Sequence, residues 1–487
     1  MIGTIKLNYL YSLLNKIVII ATSLITIPYL SRVLGPEKIG IKSYTMSLSY
    51  LFIILATFGI FTLAQREIAR SRDSIAEYSK VFWNIFLSSS IIIFIFLCVW
   101  AIFVANTNKY QLYYLILSLS IFASFFDITW FYIGFEYFGK ILVRNAIIKL
   151  GSLILIFSLI KSEQDIFLYI LIACMTELCG NLSLWIGFKK NSKILSYTHS
   201  NYKPYYIKES LKYYIPSASL FIFIVIDKIM IGLLTENEFF NGIFEQSSTI
   251  ILIILSIINS LNSIMSPRQS YLFKIGNIEE VHNKIKKSLD FILLIAYPSI
   301  IGLVIISNDI VTIFLGKHFN MASKIISLMS PLLLLMSISN IICLQYITPS
   351  GKLYLTNRIV LAGICCNIIG NLILIPNYGI EGAVISSIIS ESLILLLYIK
   401  FSNKIIDLGF IVKRSYKRLI SCIAMALMIL FIKMLYDNSY FIGLYVIIGA
   451  ITYFLVILLI KDELAMEIVY ICSNSIKKLF KKAKSVL

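Results

Sequence analysis

Asp127 to Lys149 reads D-I-T-W-F-Y-I-G-F-E-Y-F-G-K-I-L-V-R-N-A-I-I-K, a run that sets five charged side chains along two apolar segments joined by a short turn. Phe122 to Ile133 has the composition of the end of one membrane helix and Ile141 to Ile160 that of the next, so Asp127 and Lys149 fall at lipid depth. An ionisable side chain at a helix centre costs ~2.5 to 3.5 kcal/mol on insertion scales and therefore faces a water-filled cavity or a partner. At helical spacing Asp127, Trp130 and Gly134 share one face, and Asn145, Lys149 and Ser152 share a face of the following helix. Both faces are expected to look into a polar lumen that the rest of the chain builds.

Hydrophobic residues make up 59% of the 487 and charged ones 14%, and apolar runs of span length recur from end to end. The chain is thus expected to be an all-α polytopic membrane protein. Its first apolar run, from Leu10 to Leu30, is preceded by Lys6 and has no small-residue cleavage site, which is the pattern of an uncleaved span. The cysteines sit almost entirely in apolar runs without a C-x-x-C pair, as buried packing residues do.

The net charge of +18 would suggest nucleic acid in a soluble protein, but its distribution follows the spans. Fourteen are expected, near 10–30, 43–64, 82–104, 113–133, 141–160, 166–187, 211–234, 239–266, 288–306, 322–346, 356–376, 380–399, 417–436 and 440–460. With the N-terminus inside, the inner segments and their edges carry 31 Lys and Arg and the outer loops 8. That split places both termini in the cytoplasm and removes nucleic acid as a partner.

Span 1 carries Ser12, Lys16, Ser23 and Thr26 near one face, and span 2 carries Ser43, Ser47, Tyr50 and Thr57. Hydroxyls alone serve helix packing as readily as a lumen; Lys16 favours the lumen. The turn between these spans is R-V-L-G-P-E-K-I-G, Arg32 to Gly40. A shift of 202 residues aligns Gly40 with Gly242, Arg66 with Arg268, and Ser43, Ser47 and Thr57 with Glu245, Thr249 and Asn259. This weak repeat predicts two pseudo-symmetric six-helix lobes, 1–200 and 201–402, as in parallel-repeat transporters, followed by two extra helices over 403–460 and a basic amphipathic tail over 461–487. A proline at 216 predicts a kink in span 7. Asp227 and Lys228 lie deep in that span, as an internal neutralising pair or as lumen charges; Glu177 and Glu391 are further acids within spans, and Asp290 near a span end reads as a snorkelling residue. Asn371 to Ala383, N-L-I-L-I-P-N-Y-G-I-E-G-A, is a tight outer connection between spans 11 and 12.

Enzyme motifs fail. Gly134 to Lys140 fits G-x-x-x-x-G-K, but Ile141 stands where Ser or Thr must hold magnesium, and aromatics crowd the loop. The three histidines are scattered over loops, and no cofactor motif is present.

Together, Arg32-x-Leu34-Gly35 with Gly40, the D-I-T-W-F-Y-I-G-F-E run followed by Arg144-Asn145, D-K-I-M-I-G at Asp227 to Gly232, and L-I-P-N-Y-G-I-E-G-A resemble the Wzx-type polysaccharide repeat-unit flippases. These belong to the multidrug/oligosaccharidyl-lipid/polysaccharide superfamily, and the resemblance covers residues 1 to about 460. It implies an inner-membrane transporter and not an enzyme, alternating access for an undecaprenyl-diphosphate-linked oligosaccharide in O-antigen or capsule biosynthesis, and polymerase and chain-length proteins as partners. The related lipid II flippases have an arginine-rich cavity, whereas the spans here hold mainly lysines. On this reading Lys16, Arg32, Arg144, Lys149 and Lys228 bind the diphosphate, with Glu245 beside them, and Trp130 stacks on sugar; Asp127, Glu177, Asp227 and Glu391 carry a coupling proton or sodium ion or balance the lysines. A drug or cation antiporter of the same superfamily, which has twelve spans, stays open as an alternative, and a polysaccharide polymerase would need a large outer loop that the sequence lacks.

Overall fold

The computed structural model describes residues 2–57, 59–189, 205–402, 408–436, 438–467 and 469–470. The basic loop around 190–204 and the tail from 471 lie outside these residues, as does the amphipathic reading of that tail. So do the side chains around the proline at 216, through which the backbone runs helical.

Sixteen α-helices carry the chain among the described residues: α1 (Ile2–Thr57), α2 (Ile60–Ser71), α3 (Ile75–Ala105), α4 (Gln111–Ser124), α5 (Thr129–Gly134), α6 (Phe138–Leu159), α7 (Ile166–Lys189), α8 (Tyr205–Thr235), α9 (Glu238–Ile258), α10 (Ser260–Lys274), α11 (Ile278–Ile310), α12 (Met321–Met329), α13 (Leu332–Ile341), α14 (Leu353–Phe401), α15 (Leu408–Leu435) and α16 (Ile442–Leu459). Eleven helical segments are long and apolar enough to cross a membrane. Two of them, Leu10–Thr57 and Leu353–Phe401, are 48 and 49 residues long, about 70 Å at ~1.5 Å per residue, which crosses a ~30 Å hydrocarbon core twice. Counted so, and with α8, the spans number fourteen, and the protein is an all-α polytopic membrane protein.

The double-length helices turn where the sequence signals it. Gly35 (φ 70°) precedes Pro36 in α1, and Gly379 (φ 57°) follows Pro376 in α14. Both backbones enter the left-handed region that glycine adopts without a Cβ penalty. A Cβ on Gly382 would lie 2.9 Å from the amide nitrogen of Ile375, so this hairpin also needs its second glycine.

Among the described residues four spans are interrupted along their length, the tenth at Ser330–Pro331 between α12 and α13 and three others at positions that bear on the site. Span 2 breaks at Gly59 (φ 71°) between α1 and α2, and span 8 breaks at Asn259 between α9 and α10. Thr57 and Asn259 are the positions that the 202-residue shift aligns, so the repeat extends to where the helices interrupt. The third break, over residues 125–128 between α4 and α5, corrects the expected face: Asp127, Trp130 and Gly134 do not share one helix surface, because the Asp127 carboxylate caps the break by accepting from the Thr129 backbone N–H at 2.8 Å. Interrupted helices are tolerated at membrane depth where side chains satisfy the freed backbone groups.

Two compact units are present: residues 1–246 with 314–318 and 367–383, and residues 247–313 with 319–366 and 384–487. In the second, α15 and α16 are fastened to α11 by polar contacts at both ends. Arg418, fully buried, donates to the Asp290 carbonyl at 2.7 Å and carboxylate at 2.5 Å, with Asp462 at 3.5 Å. At the far end Lys433 meets Asp309 at 2.6 Å and Ser439 donates to the same carboxylate at 2.9 Å. Asp290 therefore does not snorkel; it is 5% exposed and neutralised by a neighbouring helix.

Candidate functional site

Helices α1 and α9 cross within the first unit at a pair of glycines, each a turn past the start of its straight segment. A Cβ built on Gly40 would lie 2.6 Å from the carbonyl carbon of Glu238, and one on Gly242 would lie 2.8 Å from that of Pro36. The two contacts map onto each other under the 202-residue shift, so the sequence repeat is a local two-fold relation in space. Only residues without Cβ allow two backbones this close.

One turn beyond the crossing, the aligned residues Ser43 and Glu245 meet. The Ser43 hydroxyl lies 3.0 Å from Glu245 Oε2 and 3.3 Å from Asn241 Oδ1. Glu245 also takes Lys42 Nζ at 3.1 Å and Lys228 Nζ at 2.5 Å, and Asn241 Nδ2 donates to the Lys228 carbonyl at 2.8 Å. The side chains of Lys42, Lys228 and Glu245 are only 13 to 18% exposed. Two cations thus share one buried carboxylate, and the group carries a net positive charge in a region where unpaired charge is costly.

The printed contacts of Asp227 and Lys228 run to different partners. Adjacent residues on a helix point ~100° apart, and while Lys228 turns to Glu245, Asp227 accepts from Asn371 Nδ2 at 2.7 Å. Asn371 in turn lies 3.2 Å from Asn367 Oδ1, and all three residues are at most 3% exposed. The Asn371 Oδ1 atom is buried with no hydrogen-bond partner. The cluster is therefore rich in oxygen acceptors, which is the chemistry that a hard cation or a proton on Asp227 would use.

The opening stretch supplies a second charged group in the same unit. Glu177 on α7 is hydrogen-bonded by Ser120 and has Asp127 and Lys149 as its charged neighbours, and Arg144 feels the charge of Asp127. Among the described residues neither Asp127 nor Lys149 forms an ion pair within 4 Å. On the next face, Asn145 Nδ2 donates to Asn15 Oδ1 at 2.8 Å, joining α6 to α1; Lys16 follows Asn15 in sequence, and Lys149 lies one turn beyond Asn145. Tyr50 lies within electrostatic reach of both Lys42 and Glu177. A polar wall of Lys42, Tyr50, Glu177, Asp127 and Lys149 results.

Trp130 does not belong to this wall. It is 3% exposed inside an aromatic core, its ring centroid 5.2 Å from that of Phe82, so no face remains for a sugar. Arg32 is exposed on α1 beside Gly316. Glu391 is buried on α14 in the second unit, near Tyr398. Lys42, Asn367 and Asn371 are site residues that sequence reasoning did not select.

Comparison with known proteins gives a consistent set. The family model described as "Polysaccharide biosynthesis protein" matches residues 5–273. Candidate O-antigen transporters from Shigella dysenteriae and Escherichia coli K12 are each 23% identical to this chain, over 77% of it and 94% of the relative in the first case and 79% and 93% in the second. Among solved structures, the lipid II flippase MurJ in an inward closed conformation superposes with a TM-score of 0.71 at 16% identity, covering 92% of this chain and 97% of MurJ. An inward-facing multidrug resistance MATE family transporter of the MOP superfamily gives 0.59 at 13% identity, covering 81% and 93%. At these identities the structural likenesses show the fold.

Proposed function

This chain belongs to the polysaccharide biosynthesis protein family, and from that premise we propose that it is a flippase for undecaprenyl-diphosphate-linked oligosaccharide repeat units, moving them from the cytoplasmic to the outer leaflet by alternating access. The observation that carries this reading is the buried Lys42–Glu245–Lys228 group at the α1–α9 crossing. A diphosphate brings negative charge and several acceptor oxygens into a region where lipid offers no donors, so a carrier must supply cations that can exchange partners. Lys42 and Lys228 are such cations: each is held by the same carboxylate, and Glu245 occupies the place that a diphosphate would take. Lys16 and Lys149 extend the positive surface along α1 and α6, while Arg144 faces the groove between α6 and α7. No covalent step is required, and the names of the relatives, O-antigen transporters, agree with transport.

Glycan-bearing cargo favours this reading over drug efflux. A multidrug antiporter carries cationic or neutral drugs, which gain nothing from two lysines on one carboxylate. The fourteen spans also exceed the twelve expected for that alternative. The Asp227–Asn367–Asn371 cluster is the coupling site in this proposal, taking a proton or a sodium ion; it lies on the residue adjacent to Lys228, so occupancy and cation position are mechanically linked. Both termini are placed in the cytoplasm on the charge split, with the spans in the inner membrane.

The test removes charge without leaving any of it unpaired. A triple variant, Lys42→Met, Lys228→Met and Glu245→Gln, keeps volume and burial while neutralising the group. It should insert normally and stop export, with lipid-linked oligosaccharide accumulating in extracted membranes while surface glycan falls. Export at the wild-type rate would remove the group from the cargo path.

A further inference from the structure

A face of α6 away from Asn145 carries a pocket of about 460 Å³, whose lining includes Tyr132, Lys140, Val143, Arg144, Ile147 and Leu184. Lys140 stands in the first turn of α6 and Arg144 one turn deeper, ~6 Å along the axis at ~1.5 Å per residue. Neither forms an ion pair among the described residues. Lys140 Nζ lies 4.9 Å from the Tyr137 ring centroid and 5.5 Å from that of Tyr132. Arg144 spends one nitrogen on Thr129 Oγ1 at 3.3 Å, and its Nε is buried with no hydrogen-bond partner. The pocket therefore has two cations at one end, neither of them neutralised by a carboxylate within 4 Å among the described residues.

Its other end is apolar and open. Val143 is 57% and Ile147 64% exposed, and together with Ile148 and Leu184 they make a track running from the cations towards the middle of the span. Ile147 and Asn145 point ~160° apart around α6 at ~100° per residue, so this face is turned away from the Asn145–Lys149 surface of the polar wall. An occupant reaches it from the bilayer and not from the wall.

We propose that this groove between α6 and α7 binds the headgroup of an anionic phospholipid, with the phosphate on Lys140 and Arg144 and an acyl chain along Val143 and Ile147. Three features select that class. Arginine and lysine one turn apart present several N–H donors to phosphate oxygens. Basic pockets between membrane helices with an apolar extension take anionic lipid heads. The cations sit beside the α5–α6 turn, at headgroup depth, in the leaflet that is the inner one under the proposed topology. The site is separate from the cargo group at Lys42, Lys228 and Glu245 and does not depend on its assignment.

The experiment uses the full-length protein in nanodiscs of phosphatidylcholine containing graded phosphatidylglycerol, with bound lipid read by native mass spectrometry. Phosphatidylglycerol should be retained over phosphatidylcholine, and Lys140→Gln with Arg144→Gln should weaken that retention roughly 30-fold, about five-fold for each charge removed near the surface. Ile147→Trp, a change at a lipid-exposed position that fills the track without altering charge, should also lower retention while the melting temperature in pure phosphatidylcholine stays unchanged. Lys149→Gln, on the other face, should leave retention as in the wild type. Equal retention of the two lipids by the wild type, or undiminished phosphatidylglycerol on the double variant, would overturn the proposal. So would displacement of phosphatidylglycerol by a short-chain isoprenyl diphosphate at equal concentration, since the groove would then belong to the cargo.

Discussion

Gly242→Ala tests the α1–α9 crossing most directly. The added methyl would stand 2.8 Å from the carbonyl carbon of Pro36 and 3.1 Å from the Gly40 amide nitrogen, where ordinary contact begins at 3.4 Å. The neighbour in each case is backbone, so no side chain can swing aside; the Pro36 carbonyl oxygen lies nearer still, so the two helices must part by well over the 0.6 Å that the carbonyl carbon alone would require. Overpacking of this kind costs ~1 to 3 kcal/mol, which is ~5 to 150-fold in the ratio of closed to open crossing. Separation also stretches the Lys42–Glu245–Lys228 contacts one turn away, adding to the shift. Alanine is the better helix former by ~1 kcal/mol, so insertion and helicity should be intact. The assay is reaction of Ile39→Cys, at a position buried beside Gly40, with an impermeant maleimide in a background without native cysteines, together with export. Gly242→Ala should accelerate labelling by at least five-fold and slow export, and Gly40→Ala should do the same because the contact is reciprocal. Wild-type labelling and export in both variants would refute the reasoning that this crossing closes one face of the carrier.

Three further outcomes follow from the same geometry. Glu245→Gln alone strands two buried cations and should destabilise the detergent-solubilised protein by ~3 to 5 kcal/mol, with Lys228→Met in the same chain recovering part of the loss in a thermal-unfolding series. Asp127→Asn and Lys149→Ala should each reduce export without rescuing one another, since they make no ion pair and Arg144 is the cation acting on Asp127; restored export in the double variant would return Lys149 to a charge-balancing role. For orientation, a cysteine at Asn106 should react with an impermeant reagent in intact cells and one at Asp73 should not, and the opposite pattern would invert the assigned topology.

The spans were legible because each needs some twenty apolar residues, and the hairpin turns at Gly35 and Gly379 because glycine within three residues of a proline signals a chain reversal. The break at residues 125–128 was not, since Phe125, Phe126 and Ile128 read as uninterrupted membrane helix; the one signal is Asp127, whose carboxylate caps the following turn and was taken for a mid-helix charge. Lys42 was hidden by its position at a span edge, where a lysine ordinarily reaches water. It is buried because Gly40 and Gly242 draw α9 over it, a consequence of two residues 202 positions apart. Asn367 and Asn371 escaped a search for charges because neutral amides in an apolar run carry none, although each needs several hydrogen-bond partners when buried. Trp130 shows the converse error: an aromatic beside charged residues invited a ligand role, while the ring is buried in an aromatic core against Phe82 and Phe131.

The repeat explains why the crossing is both tight and chemically uneven. A local two-fold relation places each residue near the axis against its own counterpart, so an unbroken repeat would set hydroxyl against hydroxyl or carboxylate against carboxylate at Ser43 and Glu245. Two carboxylates there would repel at close range, and two serines would leave Lys42 and Lys228 without a counter-charge in a buried position. The divergence of one half to Glu and the other to Ser gives a donor facing an acceptor and one negative charge for two lysines. Glycine is retained in both halves at 40 and 242 because close approach is a demand on both backbones at once. The backbone therefore keeps the symmetry of the close crossing, while the side chains depart from it to leave one carboxylate between two lysines and a surplus positive charge.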